Sequence, residues 1–129
     1  MSNITWQFQA AIPEGPAFTI SQPPIAVQAY DVATATIAAG TSTGVDVVVA
    51  PPSTAGDIVL VVVNSDVFDA GITYTVDGGS DEFALDAPHV LLGSGAVKFM
   101  NGGKPQKLTF KNAFTTAANV QVVVGRKNP

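Results

Sequence analysis

Apolar residues recur at every second position through much of this chain, the period of a strand that buries one face. The pattern is cleanest near the end: Leu108 and Phe110 alternate with Lys107, Thr109 and Lys111, and Val120, Val122 and Val124 line one face of Asn119 to Gly125. The same reading predicts strands at Ile25 to Tyr30, Ala33 to Ala38, Gly44 to Ala50, Asp57 to Asn64, Gly71 to Asp77 and Lys107 to Asn112. It also predicts one strand from Glu82 to Leu85 continuing through His89 to Leu92, and another at Ala96 to Met100. Turn signals separate them at Gly40-Thr-Ser-Thr-Gly44, Pro51-Pro52, Asp77-Gly78-Gly79 and Asn101-Gly102-Gly103, the last two being tight-hairpin signals because glycine tolerates positive φ. Helix signals are nearly absent. The expected fold is all-β, an antiparallel β-sandwich or jelly-roll-like barrel of about eight strands. Within it, Ile58 to Val63 is apolar on both faces, which places that strand centrally or under a partner.

The first 24 residues differ in character. They hold four prolines (Pro13, Pro16, Pro23, Pro24), three aromatics (Trp6, Phe8, Phe18) and a single charge, Glu14. Ile4, Trp6 and Phe8 alternate with polar neighbours, and the prolines impose extended or turn geometry. Residues 1–24 are therefore expected to form an extended N-terminal arm on a single sandwich domain of residues 25–129. Trp6, Phe8 and Phe18 are its candidate interface anchors, because aromatic side chains dominate the contacts they bury.

Charge is scarce and segregated. Only 12% of residues are charged, about half the usual share. All ten acidic residues, Glu14 through Asp86, precede all six basic ones, Lys98 through Lys127. Lys98, Lys104, Lys107 and Lys111 thus become interface candidates if the two signs occupy separate faces; if folding mixes them, the charges neutralise within one subunit. The net charge of −4 and the lack of a basic N-terminal arm argue against a nucleic-acid partner. The longest aliphatic run is too short to span a membrane, and the N-terminus lacks the basic and apolar regions of a secretory signal, so assembly inside a cell is expected. Cysteine is absent, which suits a reducing compartment or a particle indifferent to redox state.

Candidate chemistry is thin. A Ser-His-Asp relay would have to use His89, the one histidine, in an Ala-Pro-His-Val-Leu-Leu-Gly context with no nucleophile elbow. A histidine at a strand edge is the simpler reading. Asp66 with Asp69, and Asp77 with Asp81 and Glu82, sit in turns, without the loop spacing of a calcium site. Gly93-Ser-Gly95 and Gly102-Gly103-Lys104-Pro105 fail the dinucleotide and phosphate-loop patterns. Trp6, Tyr30 and Tyr74 could form a sugar-stacking platform but read better as core or interface anchors. No catalytic set, metal or cofactor is expected.

The cysteine-free, Thr/Val/Ala/Gly-rich sandwich with its Asp-Gly-Gly hairpin and the closing run from Leu108 to Arg126 resembles small virion accessory proteins of tailed bacteriophages, over about residues 33–126. The resemblance is one of texture and carries no functional residue across. It implies a non-enzymatic capsid decoration (cement) protein on a virion surface, assembled in the host cytoplasm, a homo-oligomer whose partners are its own copies or a major capsid protein. A single jelly-roll shell subunit and a glycan-binding adhesin or tail module are the alternative expectations.

Overall fold

The computed structural model describes residues 2–21, 24–49 and 57–127, with backbone only at Ser2 and Phe18. It opens with four short strands, β1 (Ser2–Ile4), β2 (Phe8–Ala11), β3 (Ala17–Ile20) and β4 (Ile25–Val27). The sandwich follows: β5 (Ala29–Ile37), β6 (Thr41–Val48), β7 (Asp57–Ser65), β8 (Ile72–Val76), β9 (Phe83–Ala84), β10 (His89–Leu92), a one-turn helix α1 (Ser94–Val97), β11 (Lys107–Asn112) and β12 (Ala118–Lys127).

Two antiparallel four-stranded sheets form the body, in the orders β10-β7-β12-β5 and β6-β11-β8-β9. Renumbered within the sandwich, these eight strands run 6-3-8-1 and 2-7-4-5, the interleaving of two Greek keys that defines a jelly roll, here as open sheets. The alternation explains the layers. Val120, Val122 and Val124 of β12, Val61 and Val63 of β7 and Ile37 of β5 meet Leu108 and Phe110 of β11 and Ile72 and Tyr74 of β8 in one buried cluster. Asn112 is fully buried at the end of β11; its Nδ2 donates to the Ile37 and Thr116 carbonyls at 3.1 and 2.9 Å, and its Oδ1 accepts from Phe114 N–H. It ties the two sheets to the β11–β12 connection.

The N-terminal segment is a two-stranded ribbon. β1 pairs with β4 and β2 with β3, the ladders offset by one residue on either side of residues 5–7. The pairs at the far end are Phe8 with Ile20 and Ala10 with Phe18; at the base, Ile4 and Val27 lie over Gly125 of β12. A methyl group at Gly125 would stand 3.0 Å from Val27 Cγ1 and 3.3 Å from Leu60 Cβ, so glycine is what lets the ribbon base settle on the sheet.

Several expected elements differ. The single strand Ile25–Tyr30 is divided between ribbon and sandwich at Gln28, whose N–H bonds the Arg126 carbonyl, and the expected strand Ala33–Ala38 falls, up to Ile37, in the longer β5. Glu82–Leu85 and His89–Leu92 fall in opposite sheets, because the chain turns a corner at Asp86–Pro88 after burying Leu85. Ala96–Met100 is the end of a helical turn: Gly93 at φ 86° stops β10, and Val97 and Met100 then reach the core at the i, i+3 spacing of a helix. Asn101-Gly102-Gly103 links that turn to β11 and makes no hairpin, although its three residues do take positive φ. Asp77-Gly78 takes the expected positive φ, 50° and 73°, but as the start of the longer connection 77–82 between β8 and β9 and not as a tight hairpin. Thr41–Gly44 lies in β6, leaving Gly40 in the turn, and Pro51-Pro52 lies outside the described residues.

Candidate functional site

Two features stand out on the sandwich. The first is the outer face of the β10-β7-β12-β5 sheet. Register aligns Val90, Val62, Val123 and Val32 in one row across the strands. Val90 and Val32, at its ends, are 51% and 50% exposed. The neighbouring row runs Leu92, Leu60, Gly125 and Tyr30, and the ribbon base covers its centre. On the other side of the valines the face becomes polar, with Asn64, Gln121 and Thr34 aligned. An apolar row of this kind, open to solvent, marks a contact surface.

The N-terminal strands carry further exposed apolar residues. Phe8, Ile12 and Ile20 are each about half exposed, and Trp6 is half-buried with its indole N–H enclosed and unpartnered. The side chain of Phe18 lies outside the described residues. Phe8 and the backbone of Phe18 lie in the N-terminal strand pair of β2 and β3, with Trp6 between β1 and β2, and two of the four candidate lysines have a carboxylate partner within the subunit. Lys107 pairs with Asp46 at 3.6 Å and Lys111 with Glu82 at 3.4 Å, and Arg126, largely buried, pairs with Asp31. Lys98 and Lys104 are exposed near the turn after α1. Acidic and basic stretches, separate in sequence, are paired strand against strand, so half of the basic residues meet a carboxylate within the subunit.

The second feature is a cleft of about 340 Å³ at the edge where the two sheets part, between β8–β9 and β10. Tyr74, Val76, Leu91, Met100, Phe83 and Phe99 line it with apolar surface, and Ser80, Asp81, His89 and Asn101 supply polar groups. Tyr74 Oη lies 2.6 Å from His89 Nδ1, and its ring packs against Phe83, Phe110 and the imidazole at centroid distances of 5.4–5.7 Å. Burial pushes the Tyr74 phenol up to about 12. Phe99 is 86% exposed, forgoing roughly 1.5–3 kcal/mol that burial of its ring would return. His89 thus has a partner that sequence reasoning did not name, because the hydroxyl comes from another strand of the opposite sheet. Phe83 and Phe99 were missed as well: isolated phenylalanines in a β chain read as core.

Among the described residues no group of His, Cys, Asp or Glu is arranged to hold a metal, and no helix is long and apolar enough to cross a membrane. The imidazole bonds Tyr74 and has no hydrogen bond to Ser80 or Asp81. No family model, curated protein or solved structure matches this chain.

Proposed function

We propose that this chain is a non-enzymatic structural protein of a virion, a capsid decoration protein that reinforces a phage shell through subunit contacts and acts as a homo-oligomer at the capsid surface. The carrying observation is the exposed row Val90–Val62–Val123–Val32 beside an apolar ribbon in the same chain. The ribbon base already packs on this sheet through Ile4 and Val27. A ribbon from a second copy, laid across the valines, extends that packing without changing its chemistry. Such a contact is head to tail and repeats from copy to copy, as a shell requires. The virion part of the reading rests on the resemblance of residues 33–126, with assembly in the host cytoplasm. The strand order favours a second reading, a shell-forming jelly-roll subunit, since jelly rolls build viral capsids; that is an argument from fold alone.

Light scattering and negative-stain microscopy of the purified chain test both. A decoration protein gives small discrete oligomers that bind preformed phage shells, whereas a shell subunit gives closed particles by itself. Val32→Thr with Val90→Thr should abolish the association, and added salt should leave it intact because the proposed contact is apolar. A chain that stays monomeric at high concentration and ignores shells overturns the proposal.

A further inference from the structure

From the cleft beside His89 we infer a binding site for one neutral pyranose ring of a carbohydrate. The inference is independent of the assembly reading, because His89 and Leu91 face the cleft while Val90, between them, belongs to the opposite side of β10.

Size sets the first limit. About 340 Å³ is at the small end of ligand pockets and suits a single ring. Hydrogen bonding sets the second. Tyr74 Oη and His89 Nδ1 share one hydrogen bond; with the phenol as donor, the imidazole carries its proton on Nε2, which is then a donor for a ligand in the cleft. Asp81 contributes a carboxylate acceptor. Asn101 gives one Nδ2 N–H to Asp77, which leaves its other N–H as a donor and its Oδ1 as a second acceptor. Ser80 can do either. A matching ligand must therefore both donate and accept, as hydroxyls do.

The rings set the third limit. Phe83 and Phe99, 43% and 86% exposed, both line the cleft and supply it with exposed aromatic surface. A pyranose presents a flat C–H face to an aromatic ring and hydroxyls around its edge. An anion fits less well because it meets Asp81, and a purely apolar group strips water from the polar groups without replacing it; a cation, which Asp81 and the rings attract, is the competing class and is tested directly.

The test is an amide and aromatic NMR titration of the full chain with methyl glucoside, galactoside, mannoside and N-acetylglucosaminide. Tetramethylammonium and indole serve as cationic and apolar controls. At least one sugar should give saturable shifts at Tyr74, Phe83, His89 and Phe99. Phe99→Ala should weaken its binding about tenfold, and Asp81→Asn several-fold; both positions are exposed, so the fold should persist, as the rest of each spectrum reports. Three results overturn the inference: no sugar saturates; a control binds the cleft and no sugar does; or sugar binding is untouched by both substitutions and so lies elsewhere.

Discussion

The Tyr74 hydroxyl and His89 Nδ1, 2.6 Å apart, form a hydrogen bond between β8 of one sheet and β10 of the other. It pins the sandwich at the edge where the sheets diverge and no strand closes the gap.

Removing the imidazole should therefore cost more than removing the hydroxyl. His89→Ala leaves a buried phenol O–H without an acceptor, an expected loss of about 1–3 kcal/mol, whereas Tyr74→Phe should lose only about 0.5–1.5 kcal/mol. The double variant should be more stable than the sum of the two losses predicts. Urea unfolding of the four proteins measures the coupling; strict additivity would show that the bond contributes nothing.

The same phenol sets an alkaline limit. Its folded value, about 12, lies above the ordinary value of 10.0 because burial disfavours the phenolate. The stability it contributes is fully present below pH 10 and is lost as pH rises toward 12, where the unfolded chain gains by ionising first. Near-ultraviolet titration of Tyr30→Phe, which leaves Tyr74 as the only tyrosine, should show ionisation coincident with loss of β-sheet circular dichroism.

At acid pH the responsive group is Asp66. The Asn119 backbone N–H and side-chain amide, each 2.8 Å from its carboxylate, hold it below its ordinary 3.8. A depressed value means stability present above pH 3.8 and lost as pH falls through the folded value. Hydrogen exchange at the Asn119 amide should accelerate across that window, and Asp66→Asn should flatten the response.

Asn112→Asp is expected to be the most damaging isosteric change in the core. It replaces an amide that donates to two carbonyls with a carboxylate that faces them. A loss of about 3–5 kcal/mol at neutral pH follows from an uncompensated buried charge. Partial recovery in acid, where the carboxyl can donate one bond again, distinguishes charge from packing in a thermal melt.

Gly125→Ala should act on the ribbon. The added methyl meets Val27 and Leu60, so either the ribbon base lifts or the sheet strains, at about 1–3 kcal/mol. Limited proteolysis should then cut within residues 5–21 faster while the sandwich fragment persists. Unchanged cleavage would mean that the ribbon is not seated through this contact.

Strand alternation was legible wherever a strand keeps one face in the core. Lys107–Asn112 is a strand as read, and Asn119–Gly125 gains only its flanking residues. The run Ile58–Val63 was legible too: apolar on both faces, it forms the core on one side and carries Val62 of the exposed row on the other. The divided strands were not, because alternation survives a corner; nothing in Glu82–Leu92 tells which side of Pro88 changes sheet. Nor was the cleft. Tyr74, Phe83, His89 and Phe99 come together through pairing between strands, and Val97 and Met100, three apart, read as strand or helix with equal ease.

β12 lies between β7 and β5 and supplies the sheet's central row of hydrogen bonds. Thr36 and Asn119, joined across that ladder, stand 83 residues apart in the chain. During synthesis, β5 and β7 therefore emerge long before the strand that separates them; β7 can pair with β10 on one edge, but its other edge and β5 stay open until β12 is made. A strand apolar on both faces is meanwhile open to the wrong neighbour, including the same strand of another nascent chain. The interval between making β7 and making β12 is thus when this protein is most exposed to aggregation, and slow translation of residues 66–117 should lower its soluble yield.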